Sequence, residues 1–267
     1  MKTVIQTYNE RPKHTVRNIL ISGFLLFLII WSSPVLTLPD AFSAGMDVAK
    51  NIGKAFFNPS WNLIFTTDVD GIPFLMFETV GIAVLGTLLG ALLSIPFAFL
   101  TARNIVGRFN VIGNTIITTI RSFPFFLTAL MFIRVSGPGP MTGVLTIGVL
   151  SIGMISKLYI EIIEDIDPGI LQSLDAIGAT RYQKMRYGIL PQLFANFISV
   201  VIYRFEINVK NATILGIVAA GGIGFTLNIA MNAGRWRDAA AALWGIIIAV
   251  IIIDYFSTKI RKKLING

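Results

Sequence analysis

The chain reads as an all-α polytopic membrane protein, and three observations carry that reading. It is 54% hydrophobic and 13% charged, where soluble domains run near a quarter charged. Its mean hydropathy is +0.74. Its apolar residues gather into runs of about 20, the length that crosses a hydrocarbon layer of about 30 Å. Backbone polar groups in such a run have no water to bond, so each run is expected to be a helix. Six transmembrane helices are predicted, over 18–38, 76–101, 111–135, 141–158, 193–218 and 239–258.

Residues 1–17 form a basic tail ahead of the first run. An alternative for that run is a secretory signal peptide, since Ala41-Phe42-Ser43 is a tolerable cleavage pattern. The length of the run and the late position of that site favour a retained helix, so 18–75 is read as the first span plus an outside segment. That segment carries Asp40, Asp47, Asp68 and Asp70, plus the breakers Pro59, Gly71 and Pro73. A loop or short surface helix is expected there, with Phe56, Phe57 and Trp61 suited to the interface where amphipathic rings settle. The core is assigned to 76–267. Its first run carries Gly86, Gly90 and Ser94 at intervals of four, with Ala83, Thr87 and Ala91 beside them. Small residues stacked on one helical face let a neighbouring helix approach closely. Pro96 removes an i to i−4 bond and is expected to kink the run. The third run contains Arg121 and Pro124, and the fourth is short and glycine-bearing.

The net charge of +8 is distributed unevenly. Lys2, Arg11, Lys13 and Arg17 precede the first run, Arg103 and Arg108 follow the second, Lys157, Arg181, Lys184 and Arg186 follow the fourth, and Lys259, Arg261, Lys262 and Lys263 close the chain. Six spans put these four groups on one side, facing Lys50, Lys54, Arg235 and Arg237 on the other. The positive-inside rule makes the richer side cytoplasmic, with both termini there. A basic surface for nucleic acid is the weaker explanation of that charge.

Between the fourth and fifth runs lies a polar stretch, 159–192, containing QSLDAIGATRYQKMRYGILPQ. Pro168-Gly169 is expected to end the preceding segment. From Ile170 to Ala179 the spacing is helical, with Ile170, Leu171, Leu174 and Ile177 apolar and Gln172 and Asp175 polar. Gly178 lacks a Cβ and permits a tight turn or close approach by a partner. Pro191 suits the first turn of the next helix, where its missing N–H costs nothing. A short helix, a turn and a basic helix are predicted. A short helix of this kind fits a partner's groove and transmits motion as a rigid body.

Gly178 lies thirteen residues before Pro191, with Ile189 and Leu190 just ahead of the proline. That spacing resembles the signature loop of bacterial ABC-importer permeases, which reads Glu-Ala-Ala, three residues, Gly, nine residues, Ile, any residue, Leu-Pro. The stretch Tyr203–Gly224, Ile120–Pro124 (IRSFP) and Arg186–Gln192 (RYGILPQ) are similar to phosphonate-type importer permeases. The likeness covers about 78–262 and is most specific over 172–224. It implies a type I importer permease (MetI-like) fold in a bacterial inner membrane, and import of phosphonate or a related phosphorus oxyanion. It also implies two copies of a separate ATPase, an extracytoplasmic solute-binding protein and a second permease copy, within membrane lipid. Gln172, Asp175, Ala176, Gly178, Ala179, Arg181 and Pro191 then fall in the ATPase-coupling loop. Gln172, Ser173 and Leu174 stand where the motif has its acid and alanines, so the docking implied rests on shape around Gly178. Another small solute (phosphate, phosphite or an amino acid) is the nearest alternative.

Arg121, Arg134, Arg204, Glu206 and Lys210 all lie within apolar runs, where an isolated central charge costs about 2.5–3.5 kcal/mol. They should face the bundle, water, an interface or one another. Glu206 and Lys210, four apart, can pair, and Asn208 and Asn211 add hydrogen-bonding groups. Two readings stay open: a net positive translocation path drawing on Arg121, Arg204, Glu206, Asn208 and Lys210, or charges that lock helices together, with Arg134 nearest a span end. Gly216, Gly221, Gly222 and Gly224 suit a re-entrant bend or hinge at membrane depth. The resemblance implies a gate there, and a flexible connector is the plain alternative.

Zero cysteines exclude disulfides and thiolate sites. The single histidine, His14, sits in the basic tail, so no His-based metal or catalytic centre is expected. Glu161, Glu164, Asp165 and Asp167 read as a solvated helix end. The chain has no G-x-x-x-x-G-K-[ST] loop, so it is expected to bind no cofactor and to leave ATP and magnesium to the partner. An ion-coupled carrier would favour inverted repeats, and none is visible. An intramembrane enzyme lacks its nucleophile.

Overall fold

The computed structural model describes residues 15–33 and 40–266. These are helical throughout, with short connections and no strand among them. Met1–Asn51 and Ile52–Gly267 form two compact units. In the first, α1 (Thr15–Ser32) exposes every described side chain. The basic residues Lys2, Arg11 and Lys13, and residues 34–38 at the end of the expected first span, lie outside the described residues. The outside segment, expected as a loop or short surface helix, is largely helical. It contains α2 (Asp40–Phe57), which runs on into the second unit, and α3 (Trp61–Phe65).

The second unit contains α4 (Ile72–Phe99), α5 (Arg103–Val106), α6 (Asn110–Ser122), α7 (Phe125–Ser136) and α8 (Pro140–Glu164). It continues with α9 (Pro168–Ala176), α10 (Arg181–Gln183), α11 (Leu190–Leu215), α12 (Ile223–Asn232) and α13 (Trp236–Asn266). A π-helical turn over Lys184–Ile189 feeds α11. Among the described residues, four stretches are long and apolar enough to cross a membrane: Ile72–Ser122, Pro140–Glu164, Arg186–Val218 and Trp236–Leu264. Val16–Ser32 and Phe125–Ser136 are shorter apolar helices.

Two expected boundaries shift for identifiable reasons. The third predicted span is two helices, because Pro124 forces Phe123 into extended backbone (ψ 124°) and then caps α7. The fourth is longer than expected and ends at Glu164, its last turns linked by Lys157 Nζ to Glu161 Oε1 at 3.1 Å. Pro96 is tolerated near the end of α4, which stops three residues later.

Helix α8 is the axis of this unit. Helix α4 packs along it in parallel, as the pairs Gly86 with Ile147 and Gly90 with Ser151 require. A Cβ on Gly86 would lie 2.7 Å from that of Ile147, and one on Gly90 would lie 2.4 Å from that of Ser151. The stripe of small residues is therefore where two backbones meet. Helix α11 runs antiparallel to both, since Tyr159 stacks on Phe197 with ring centroids 3.8 Å apart while Asn208 reaches Ser151. Thr79, Thr87, Ser94, Thr142, Thr146 and Ser151 are buried, while Leu92, Phe126, Ile251 and Ile252 are at least 46% exposed. Small hydroxyl residues inside and large apolar ones outside is the pattern of a bundle solvated by lipid.

Candidate functional site

Helix α9 and the turn after it are built by local rules. Asp167 is the N-cap, its carboxylate accepting the Gly169 N–H at 2.8 Å, and Pro168 occupies the first turn. Pro168-Gly169 thus opens this helix rather than closing the preceding segment. At its other end Gly178 has φ +75°. The Gly178 N–H donates to Asp175 O at 3.0 Å and the Ala179 N–H to Leu174 O at 2.9 Å, the left-handed helix stop that glycine favours. Thr180 and Gln183 then form a capping box, the Thr180 N–H donating to Gln183 Oε1 at 2.7 Å. Lys184 forms an ion pair with Asp175 across the turn. Gln172, Asp175, Ala176 and Gly178 are exposed and Ala179 is half-buried. No atom lies within 4 Å of where a Gly178 Cβ would be. Arg181 opens α10, and Pro191 lies in the first turn of α11 as expected. Ile177, Tyr182 and Tyr187, each at least 70% exposed, add apolar and aromatic surface before and after the turn in sequence. Sequence reasoning passed over both tyrosines.

The proposed pathway residues on α11 divide between two faces. Arg204 and Asn208, one turn apart, are both buried. Asn208 Nδ2 donates to Thr87 Oγ1 and to Ser151 Oγ, both at 2.9 Å, and so ties α4, α8 and α11 together. Its Oδ1, Arg204 Nε and Ser156 Oγ are buried without a hydrogen-bond partner among the described residues. Glu206 and Lys210 occupy the opposite face and pair at 3.3 Å, as their spacing predicts. Arg121, exposed in the last turn of α6, and Arg134, exposed in the last turn of α7, make no ion pair with a described residue. A Cβ on Gly153 would lie 2.8 Å from Arg121 Cγ, so the arginine stem rests against α8.

The glycine cluster is a close-packed joint. After a 3-10 turn over Gly216–Val218, Ala219 (φ 59°), Gly221 (φ 83°) and Gly222 (φ 71°) reverse the chain into α12. The first N–H groups of α12 are satisfied from α4: the Gly222 N–H donates to Glu78 Oε1 at 3.2 Å and the Ile223 N–H to Thr79 Oγ1 at 2.9 Å. A Cβ on Gly224 would lie 1.9 Å from Thr213 O. Glu78 and Thr79 were missed. The signal available was Glu78 itself, a carboxylate in an otherwise apolar run. Among the described residues no group of three or more His, Cys, Asp or Glu is placed to hold a metal ion.

Residues 94–264 match the family model described as the inner-membrane component of binding-protein-dependent transport systems. The chain belongs to that family. It is the membrane-spanning permease subunit of an ABC importer, a multi-pass membrane protein. The permease is 34% identical over 189 residues to the phosphite transport system permease protein PtxC of Stutzerimonas stutzeri, covering 70% of this chain and 69% of the relative. It is 33% identical over 197 residues to the phosphate-import permease protein PhnE of Mycolicibacterium smegmatis, covering 73% of this chain but 37% of that longer relative. Among solved structures, an inward-facing MetNI methionine ABC transporter matches with a TM-score of 0.60 at 18% identity, over 70% of this chain and 93% of that one. That likeness establishes the all-helical MetI-like fold.

Proposed function

We propose that this permease imports phosphonate or a related phosphorus oxyanion, driven by ATP hydrolysis on a separate ATPase. The observation that carries the coupling is the exposed turn at Gly178, left-handed, open to solvent and flanked by Ile177, Tyr182 and Tyr187. Two ATPase subunits, holding ATP and magnesium, dock on this turn in two permease copies. Gln172, Asp175, Ala176, Gly178, Ala179 and Arg181 lie at that contact, and α9 moves with the motor as a rigid lever. The turn and both termini face the cytoplasm, as the cationic loops favour. An extracytoplasmic binding protein delivers cargo to the opposite face of the 76–267 core.

The oxyanion reading is supported by the relatives named for phosphite and phosphate, and by the charge inside the bundle. Arg204 is buried without an ion pair to a described residue, so a passing anion is a fitting partner once the bundle opens. Lys210, half-exposed beside Glu206, adds a second cation. Asn208 acts as a pin between helices, and Gly221, Gly222 and Gly224 form a joint against α4 that closes the path. The test is reconstitution with the cognate ATPase and binding protein in proteoliposomes, following uptake of methylphosphonate, phosphite, phosphate and methionine. ATP-dependent uptake of a phosphorus oxyanion that needs both partners supports the proposal. Uptake of methionine alone, or oxyanion uptake without the ATPase, rejects it.

A further inference from the structure

Helix α6 divides its circumference into two halves of opposite character. At 3.6 residues per turn, Asn110, Asn114, Thr118, Ser122, Thr115 and Thr119 fall on one continuous arc, with Arg121 within it and the 65% exposed Val111 as its one apolar member. Ile112, Ile116, Ile117 and Ile120 fill the other arc. Only part of the apolar arc packs inward: Ile117 is 1% exposed, and a Cβ on Gly113 would collide with the Thr101 side chain. Ile112 and Ile116 remain 63% and 45% exposed, a surface fit for lipid. On the polar arc Thr115, Thr118, Thr119, Arg121 and Ser122 are exposed and Asn110 and Asn114 half-buried, and the arc borders an open recess of about 440 Å³ lined by Asn114, Thr118 and Ser122 among others.

Lipid is a poor neighbour for that arc. The Thr115, Thr119 and Ser122 hydroxyls donate to carbonyls one turn back at 2.7–2.8 Å, so they could tolerate hydrocarbon. Asn110 and Asn114 cannot, because their amides make no hydrogen bond to a described residue and an amide without a partner is costly in an apolar medium. Arg121 brings a full charge to the same arc.

We infer that the polar arc of α6 is the water-facing wall of the solute path, with the Asn114 amide and the Arg121 guanidinium as the donors that an oxyanion meets there. The inference rests on the importer reading, and assigns that path a surface on a different helix from Arg204 and Lys210. A second permease copy closes the path from across the water, and a dry contact between the two α6 arcs is the competing arrangement.

The chain contains no cysteine, so it is its own background for labelling. Asn114→Cys, Thr118→Cys, Ser122→Cys, Ile112→Cys and Ile116→Cys would each be made in the full chain, in membranes with its partner subunits. Each would be treated with an anionic methanethiosulfonate. The reagent needs water and thiolate, and an apolar site that raises a thiol pKa by one unit alone cuts thiolate about tenfold. The polar-arc variants should therefore label at least about tenfold faster than the two isoleucine positions. Equal, slow labelling at all five overturns the assignment, as does unlabelled Thr118→Cys that cross-links to the second copy. ATP-dependent uptake of methylphosphonate, phosphite and phosphate by the unlabelled variants separates this inference from the cargo. A fast polar arc in a transporter that ignores methylphosphonate, phosphite and phosphate alike supports the wall and rejects the oxyanion.

Discussion

A tight helix contact in the permease gives the sharpest energetic prediction. Gly90 sits on α4 where α8 passes, and a Cβ there would lie 2.4 Å from Ser151 Cβ and 2.9 Å from Gly148 O. Carbon atoms rest at about 3.5–4.0 Å, so Gly90→Ala must part the helices by about 1 Å at this level. Overpacking of this kind costs about 1–3 kcal/mol, against which the better helix propensity of alanine returns at most about 1 kcal/mol. A net loss of about 1–2 kcal/mol is expected. Gly81, on the same helix, is the control, since a Cβ there meets nothing within 4 Å. Gly81→Ala keeps the propensity gain and should be neutral or stabilised by up to about 1 kcal/mol. Thermal unfolding of the purified protein in one detergent compares the two. Equal stability of Gly90→Ala and Gly81→Ala would refute the close approach of α4 and α8.

Asn208→Ala removes hydrogen bonds to Thr87 and Ser151. At about 0.6 kcal/mol each plus a small cavity, it should cost about 1–3 kcal/mol in the same unfolding assay. Gly224→Ala places a Cβ 1.9 Å from Thr213 O, so α12 must shift from its cap on α4. Faster amide exchange at Gly222 and Ile223 is expected, with wild-type exchange the contrary result. Asp167→Ala deletes the N-cap of α9 at about 1 kcal/mol, and should fray that helix by hydrogen exchange while leaving α8 protected.

The legible parts of the permease were those set by local chemistry. Gly178 as a turn former and Pro191 in the first turn of the next helix were read from the sequence and both formed, while the Thr180–Gln183 capping box between them went unread. The spacing of Gly86, Gly90 and Ser94 specified a helix-to-helix seam without naming the partner. Pro124 was visible as an interruption of the third span, yet span length outweighed it until the extended backbone at Phe123 separated α6 from α7. The grouping of Arg204 with Glu206 and Lys210 overlooked a periodicity the sequence does contain, since positions two apart point to opposite sides of a helix. Glu78 and Thr79 capping α12 across 144 residues could not be read locally. Such caps depend on which helices meet, and the apolar runs leave that order open.

The account turns on whether the Gly178 turn carries force from a separate motor. Gly178→Val puts a β-branched residue at φ +75°, where an L side chain costs about 1–2 kcal/mol, and adds bulk at the docking surface. Gly107→Val adds the same β-branched side chain at another positive φ (+60°), also in open space, in the connection before α6. The decisive measurement is oxyanion uptake per ATP hydrolysed in the reconstituted transporter. Uptake per ATP should collapse in Gly178→Val and hold in Gly107→Val, and an unchanged ratio in Gly178→Val would contradict the claim.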